Sequence, residues 1–294
     1  MVAGRADYLV SGLPPERLSA LEAHHASQLH SEPFPMLRHV ALNTRIPPFN
    51  SVDARRALNL AVDRTEVARI LGGPLRARPA CQVLPPGFPG HRPTCPYTLA
   101  PNATGSWTAP NVDAARALVG RSGTLATPIV VWTDTRPQIV SVGRYLVRLL
   151  GTLAYRARLA TVPFDPSYHH MADSRNRVQI AMAAWVADVP ASANFFTPLL
   201  SCGSFRAASA RNTNLSGFCD RRVDALIRRA SALEPTDPAA AGRLWPTVDR
   251  RVTAQAPWVP LISVRRVSVV SKRLRNYAFH PVLGGFMISQ ARVR

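Results

Sequence analysis

The residues of this 294-residue chain best placed to do chemistry are one carboxylate, one indole and four cysteines. Val178–Trp185 reads VQIAMAAW, apolar enough for a strand buried on both faces, and it runs out into Val186-Ala187-Asp188-Val189-Pro190. An aromatic and a carboxylate therefore fall where a buried strand meets a loop, the edge of an α/β sheet at which ligands bind. There Asp188 suits a ligand amine, and Trp185 offers apolar contact or a face for a cation. The plainer reading makes Asp188 a turn cap and Trp185 a core residue, because turns enrich Asp.

The cysteines form two local pairs. Cys81 and Cys95 bracket a loop dense in Pro and Gly, CQVLPPGFPGHRPTC, and Cys202 and Cys219 bracket a polar one. No C-x-x-C pair exists, so a structural zinc site has little support and no metal is expected. Two disulfides fit better, each closing a loop with a gain of about 3 kcal/mol on the chain-entropy argument. Four buried free thiols are the other reading. Disulfides imply export, yet MVAGRADYLVSGLPPERL carries no charged, apolar and small-residue leader pattern.

A catalytic search finds no G-x-S-x-G elbow, no P-loop and no H-E-x-x-H. His24-His25 and His169-His170 are adjacent pairs whose members do not face one another, and both read as surface histidines. Asp63-Arg64 and Glu66 sit at a helix junction, where capping and a surface ion pair explain them. The expectation is no enzyme and no cofactor.

The elements that must position these residues follow from the spacing. A short strand-like piece lies near Tyr8–Val10, a helix near Pro15–Leu21, and an alternating strand at Leu37–Leu42. Leu58, Ala61 and Val62, then Val67, Ile70 and Leu71, draw helical stripes, with Thr65 as an N-cap and Gly72-Gly73 as the stop. Helix Asn111–Val119, strand Ile129–Trp132, a helical stripe from Val142 to Leu153, strand Leu159–Val162 and strand Val178–Trp185 follow, which predicts a mainly parallel sheet with crossover helices. Asp220 caps a helix with Val223, Leu226, Ile227, Ala230 and Leu233 inward; Asp237-Pro238 opens another with Leu244 and Val248 inward. Trp258–Val264 and Val267–Val270 read as strands.

With 47% hydrophobic and 18% charged residues the chain is globular, and no apolar run reaches the roughly 18 residues that span a bilayer. The formal net charge of +19 raises nucleic acid or anionic lipid as partners. The basic residues, however, are scattered in ones and twos, without a basic helix or an aromatic-interleaved patch. All but Lys272 are arginines, the mark of a GC-rich coding bias, so no nucleic-acid partner is expected.

In order along the chain these pieces resemble family 5 solute-binding proteins of ABC importers, the dipeptide, oligopeptide and nickel receptors. That family carries Asn-Thr, Pro-Phe, then a Val-Arg-x-Ala-Leu helix ending in Ile-Asp-Arg. Here the run reads Asn43-Thr44, Pro48-Phe49, Ala54-Arg55-Arg56-Ala57-Leu58 and Ala61-Val62-Asp63-Arg64. LPPGFPG looks like the family's lobe loop, and Trp185–Asp188 like its Trp-x-Ala-Asp ligand segment. Asn194-Phe195-Phe196 through Cys202 to Cys219 resembles dipeptide receptors, and Ala256–Leu261 looks like the strand returning across the hinge. Val189, Ala191-Ser192 and Ser51 stand where the family usually has an aromatic, Asp-Pro and an acidic residue.

The resemblance implies an α/β, periplasmic-binding-protein-like clamshell of type II, with one complete lobe plus remnants of the other. Residues 1–42 would be a remnant of lobe I, 43–264 a complete second lobe with two disulfide loops, and 265–294 the C-terminal return to lobe I. It implies the substrate-binding component of an ABC importer, N-terminally truncated, taking a peptide or similar small solute by lobe closure. Asp188 would take the α-amino group, with backbone near Val186 and Ala187 holding the peptide as an added strand. Trp185 and Asn43 complete the expected ligand set. The partners would be a membrane ABC permease complex and the missing N-terminal lobe, and the location extracytoplasmic, through an absent lipid anchor. A ligand-sensing module of a larger regulatory protein, or a non-functional gene fragment, are the alternatives.

Overall fold

The computed structural model describes residues 6–9, 13 and 15–294. One mixed sheet organises them. Its strands are β1 (Tyr8–Leu9), β2 (Leu29–Leu42), β3 (Ala77–Pro79), β4 (Pro128–Asp134), β5 (Arg156–Val162), β6 (Ile180–Val186) and β7 (Trp258–Val270), in spatial order β1-β7-β2-β6-β4-β5 with β3 also on β7. Helices α1 (Pro15–His25), α2 (Val52–Ala61), α3 (Arg64–Ile70), α4 (Val112–Ser122), α5 (Pro137–Thr152), α6 (Phe164–Ala172), α7 (Ala193–Leu200), α8 (Arg221–Leu233) and α9 (Pro238–Gln255) complete the fold. Short strand pairs follow β7: β9 (Phe279–His280) with β10 (Gly285–Phe286), and β8 (Leu274–Arg275) with β11 (Arg292–Val293). Val10, part of the first expected strand, lies outside the described residues.

The parallel expectation holds only for β5-β4-β6, where α5 and α6 make the crossovers. β2, β7, β3 and β1 pair antiparallel. Leu37–Leu42 does not record this direction, since its residues are buried toward both faces of the sheet, Val40 and Leu42 on one side and Leu37 and Ala41 on the other. β7 is a single strand through Arg265-Arg266, which the basic pair had split into two.

The sheet is buried on both faces. One core gathers Val40, Leu42, Ile129, Val131, Ile180, Val259 and Leu261 under α2–α5; the other gathers Leu37, Ala41, Ala181 and Trp258 under α7–α9. α5 lies close on its strands because Gly143 has no side chain: a Cβ there would sit 2.6 Å from Leu159 Cδ1 and 2.7 Å from Thr133 Cγ2. Helix ends are capped as sequence chemistry dictates: Asp220 Oδ1 accepts from Arg222 and Val223, Asp237 Oδ1 from Ala240, and Asn111 Oδ1 from Ala114. The N-cap of α3 is Asp63, not Thr65: the Thr65 and Glu66 amides both donate to Asp63 Oδ1, at 2.8 and 3.1 Å. Ser51 caps α2.

Both cysteine pairs are closed, Cys81–Cys95 with Cα atoms 4.8 Å apart and Cys202–Cys219 with 4.4 Å. Buried Asp249 on α9 anchors the first loop, accepting from Gln82 Nε2 at 2.7 Å and the Val83 amide at 2.9 Å. Arg64 is wholly buried and has backbone carbonyls as its main partners: Ala80 O at 2.8 Å, Pro260 O at 2.9 Å and Asn59 O at 3.0 Å. The Asp63-Arg64 dipeptide that opens α3 is thus a cap and a clamp, which ties α3 to the first disulfide loop and to β7.

Candidate functional site

The carboxyl ends of β4, β5 and β6 lie on one edge of the sheet, and Asp188 stands exposed two residues beyond β6. What holds it there is Asn194, in the first turn of α7. Asn194 Oδ1 accepts from Trp185 Nε1 and from the Asp188 amide, both at 3.0 Å, while its Nδ2 donates to Asp188 Oδ2 at 3.3 Å. One amide therefore fixes the indole, the backbone and the carboxylate together. The chain beyond is pinned by Ser192, whose amide donates to Glu234 Oε1 at 3.0 Å. Spacing alone does not single out Asn194; an amide six residues past the carboxylate, at a helix start, is the available signal.

Val186 is exposed, and Ala187 packs against the second core while donating its amide to Pro35 O at 2.8 Å. β6 pairs β2 from Ile180 to Val186, but pairs β4 only at Ile180 and Ala181. Past that point β4 follows β5 and diverges from β6. In an antiparallel ladder alternate residues turn their backbone groups to opposite sides. With Ala187 bonded toward β2, Ala184 and Val186 turn theirs toward the opening. A fork with one free strand edge results, with Asp188 at its mouth.

The other prong ends in charge. Asp134, buried at the end of β4, takes a bidentate bond from Arg136, with Nη2 to Oδ2 at 2.6 Å and Nε to Oδ1 at 3.0 Å. Burial raises the Asp134 carboxyl, but the Arg136 hydrogen bonds and charge outweigh it and hold the group below the usual carboxylate range. Arg136 in turn lies 4.2 Å over the ring of exposed Phe164, at the start of α6.

Asn43 is at the opposite end of the ladder. Its amide and Nδ2 donate to Gln179 O and Val178 O, where β6 begins, at 3.0 and 2.9 Å. The structure therefore brings Asp188, Trp185, Val186 and Ala187 together and keeps Asn43 a strand's length away. Among the described residues no group of three His, Cys, Asp or Glu side chains is arranged to hold a metal ion. No described helix is long and apolar enough to cross a membrane.

The model of bacterial extracellular solute-binding proteins, family 5 (middle), matches residues 1–206. The chain belongs to this family. Among curated family 5 relatives, the glutathione-binding protein GsiB of Escherichia coli K12 is 22% identical over 277 residues, covering 92% of this chain and 51% of GsiB. The "Probable di/tripeptide-binding protein 5" of Pseudomonas aeruginosa UCBPP-PA14 is 24% identical, covering 92% and 48%. The chain thus spans about half the length of the curated relatives it matches. Among solved structures, clavulanic acid biosynthesis oligopeptide binding protein 2 superposes with a TM-score of 0.86 at 26% identity, covering 99% of this chain and 53% of that one. A dipeptide binding protein from Pseudoalteromonas sp. SM9913, solved with Met-Leu, gives 0.73 at 20% identity, covering 100% and 55%. These neighbours give the family 5 chain the type II periplasmic-binding-protein fold.

Proposed function

We propose that this family 5 chain is the ligand-holding part of the substrate-binding component of an ABC importer, and that it takes peptides or similar small solutes outside the cytoplasm. The observation that carries this reading is the fork between β4 and β6 with Asp188 at its mouth. An extended ligand adds to the free edge at Ala184 and Val186, its amino group pairs with Asp188, and Trp185 bounds the apolar side. Main-chain bonding of this kind gives affinity with little side-chain preference. On this reading residues 43–264 form one lobe, and 1–42 with 265–294 belong to the other. β7 then runs through both, and β2 joins them by pairing with β7 and β6. A membrane permease complex and the rest of the first lobe are the partners, and Asn43 is a strand bracket rather than a ligand contact.

Thermal unfolding of the oxidised chain with a panel of di- to pentapeptides tests the proposal. A peptide at about 100 times its dissociation constant adds about 2.7 kcal/mol, a shift of several degrees. Asp188→Asn removes the shift and Asn194→Ala weakens it. A cooperative transition that no peptide moves would refute peptide capture by this part of the molecule.

A further inference from the structure

A cavity of about 370 Å³ lies beside the ladder of β2 and β7. Five of its lining residues are arginines, Arg38, Arg76, Arg136, Arg265 and Arg266, and none of its described lining residues is acidic. Four elements or their flanks deliver them: β2, the approach to β3, the start of α5, and β7. Part of this charge is already spoken for. Arg136 is bound to Asp134, Arg265 Nε donates to Ser31 Oγ at 2.7 Å, and Arg76 Nη2 donates to the Leu13 carbonyl. Arg266 lies 4.2 Å over the ring of Phe34 and stands opposite Glu32 in the β2–β7 ladder.

Arg38 is different. It is half-buried on β2, opposite Ala184, and none of its guanidinium nitrogens has a hydrogen-bond partner among the described residues. Burial, and then the charge of Arg136, lowers its guanidinium to about 10, with Asp134 opposing. A half-buried guanidinium beside other cations is costly unless something anionic meets it. The planar donor fork of arginine matches a carboxylate or phosphate edge, and several such forks around one volume favour a ligand carrying more than one negative charge.

We propose that the Arg38–Arg265–Arg266 cavity, which adjoins the fork through Arg136, binds a small anion of two or more charges, a phosphate or a dicarboxylate, without contact to Asp188. Arg38 and Arg266 supply the direct contacts, while Arg136 and Arg265, held by Asp134 and Ser31, set the positive wall behind them. The chain's general basicity does not produce this arrangement, since paired arginines such as Arg221-Arg222 and Arg228-Arg229 lie along one helix face or its end. This inference does not depend on the peptide reading.

Isothermal titration calorimetry of the full chain with inorganic phosphate, pyrophosphate and succinate, each against sodium chloride at matched ionic strength, tests it. The expected result is saturable 1:1 binding of at least one of the three. Arg38→Gln and Arg266→Gln each weaken it about tenfold or more, the loss of one charge-assisted contact. Arg228→Gln, on the exposed face of α8, leaves it unchanged. Phosphates alone binding would assign a phosphoryl ligand, and succinate alone a dicarboxylate. Heat that follows ionic strength only, or binding untouched by both variants while their thermal transitions remain cooperative, overturns the proposal. Binding lost in Asp188→Asn but kept in Arg38→Gln overturns it as well, by moving the anion to the fork.

Discussion

Single side chains divide between those left open to solvent and those that hold the frame, and burial tells them apart. Asp188 is exposed with one oxygen committed to Asn194, whereas His39 on β2 is wholly buried, its ring 3.7 Å from that of Trp258 and its Nδ1 without a hydrogen bond. Burial lowers the His39 pKa to about 3, the backbone at Leu37 opposing and Arg38 adding to it. The unfolded chain, with an ordinary imidazole near 6.5, then binds a proton the native state does not. Stability therefore falls as the pH drops below about 6.5, and the loss levels off near 3. By pH 5 the cost is about 2 kcal/mol. His39→Phe, which keeps the stack and removes the orphan nitrogen, should flatten this part of the pH profile, read as urea midpoints between pH 5 and 7. An unchanged slope would show that other groups set it. Composition and spacing could not single out His39, because a histidine's burial depends on which strands flank it.

At the scale of elements, close packing outranks intrinsic preference. Ala is the better helix former than Gly by about 1 kcal/mol. Gly143→Ala in α5 should nevertheless lower stability by about 1–3 kcal/mol, because the new methyl meets Leu159 and Thr133 well inside contact distance. Differential scanning calorimetry decides the sign, and a rise in Tm would mean that α5 lifts from the sheet freely. Elements with strong periodicity, α2 to α5 and α8 to α9, were legible from their stripes and caps. α6 and α7 were not. Pro166 and Pro198 interrupt their patterns, and each is short enough for neighbouring strands and loops to decide it. The cap of α3 was misplaced by two residues because Asp63 and Thr65 are both acceptable caps locally; the turn out of α2 selects Asp63. The Asp188 segment was legible as strand then loop, yet the free edge beside it was not, since no single strand records where its neighbour diverges. The separation of Asn43 from Asp188 was illegible for the same reason: it follows from the antiparallel direction of β2.

For the whole molecule, the question is how a sheet this long avoids its own kind. β5 is its outer strand, and its residues Arg156 and Arg158 are exposed, charges that discourage a second sheet from adding at that edge. Replacing both by Val should raise the light-scattering mass of the purified chain with little change in its thermal transition; a persistent monomer would place the protection elsewhere. The other end of the sheet is governed by counting. Between Pro33 and Leu37 the β2–β7 ladder gains two residues on β2, and between Arg38 and His39 it gains one on β7. Side chains alternate faces along each strand, so these offsets decide that Arg38 looks into the charged cavity while Leu37 and His39 look into the apolar core. What the ladder constrains in this stretch is its parity. One residue lost between 33 and 37 would turn a guanidinium inward and a leucine outward along the whole ladder, whereas two lost together would merely shorten it. Length polymorphism here should come in even steps.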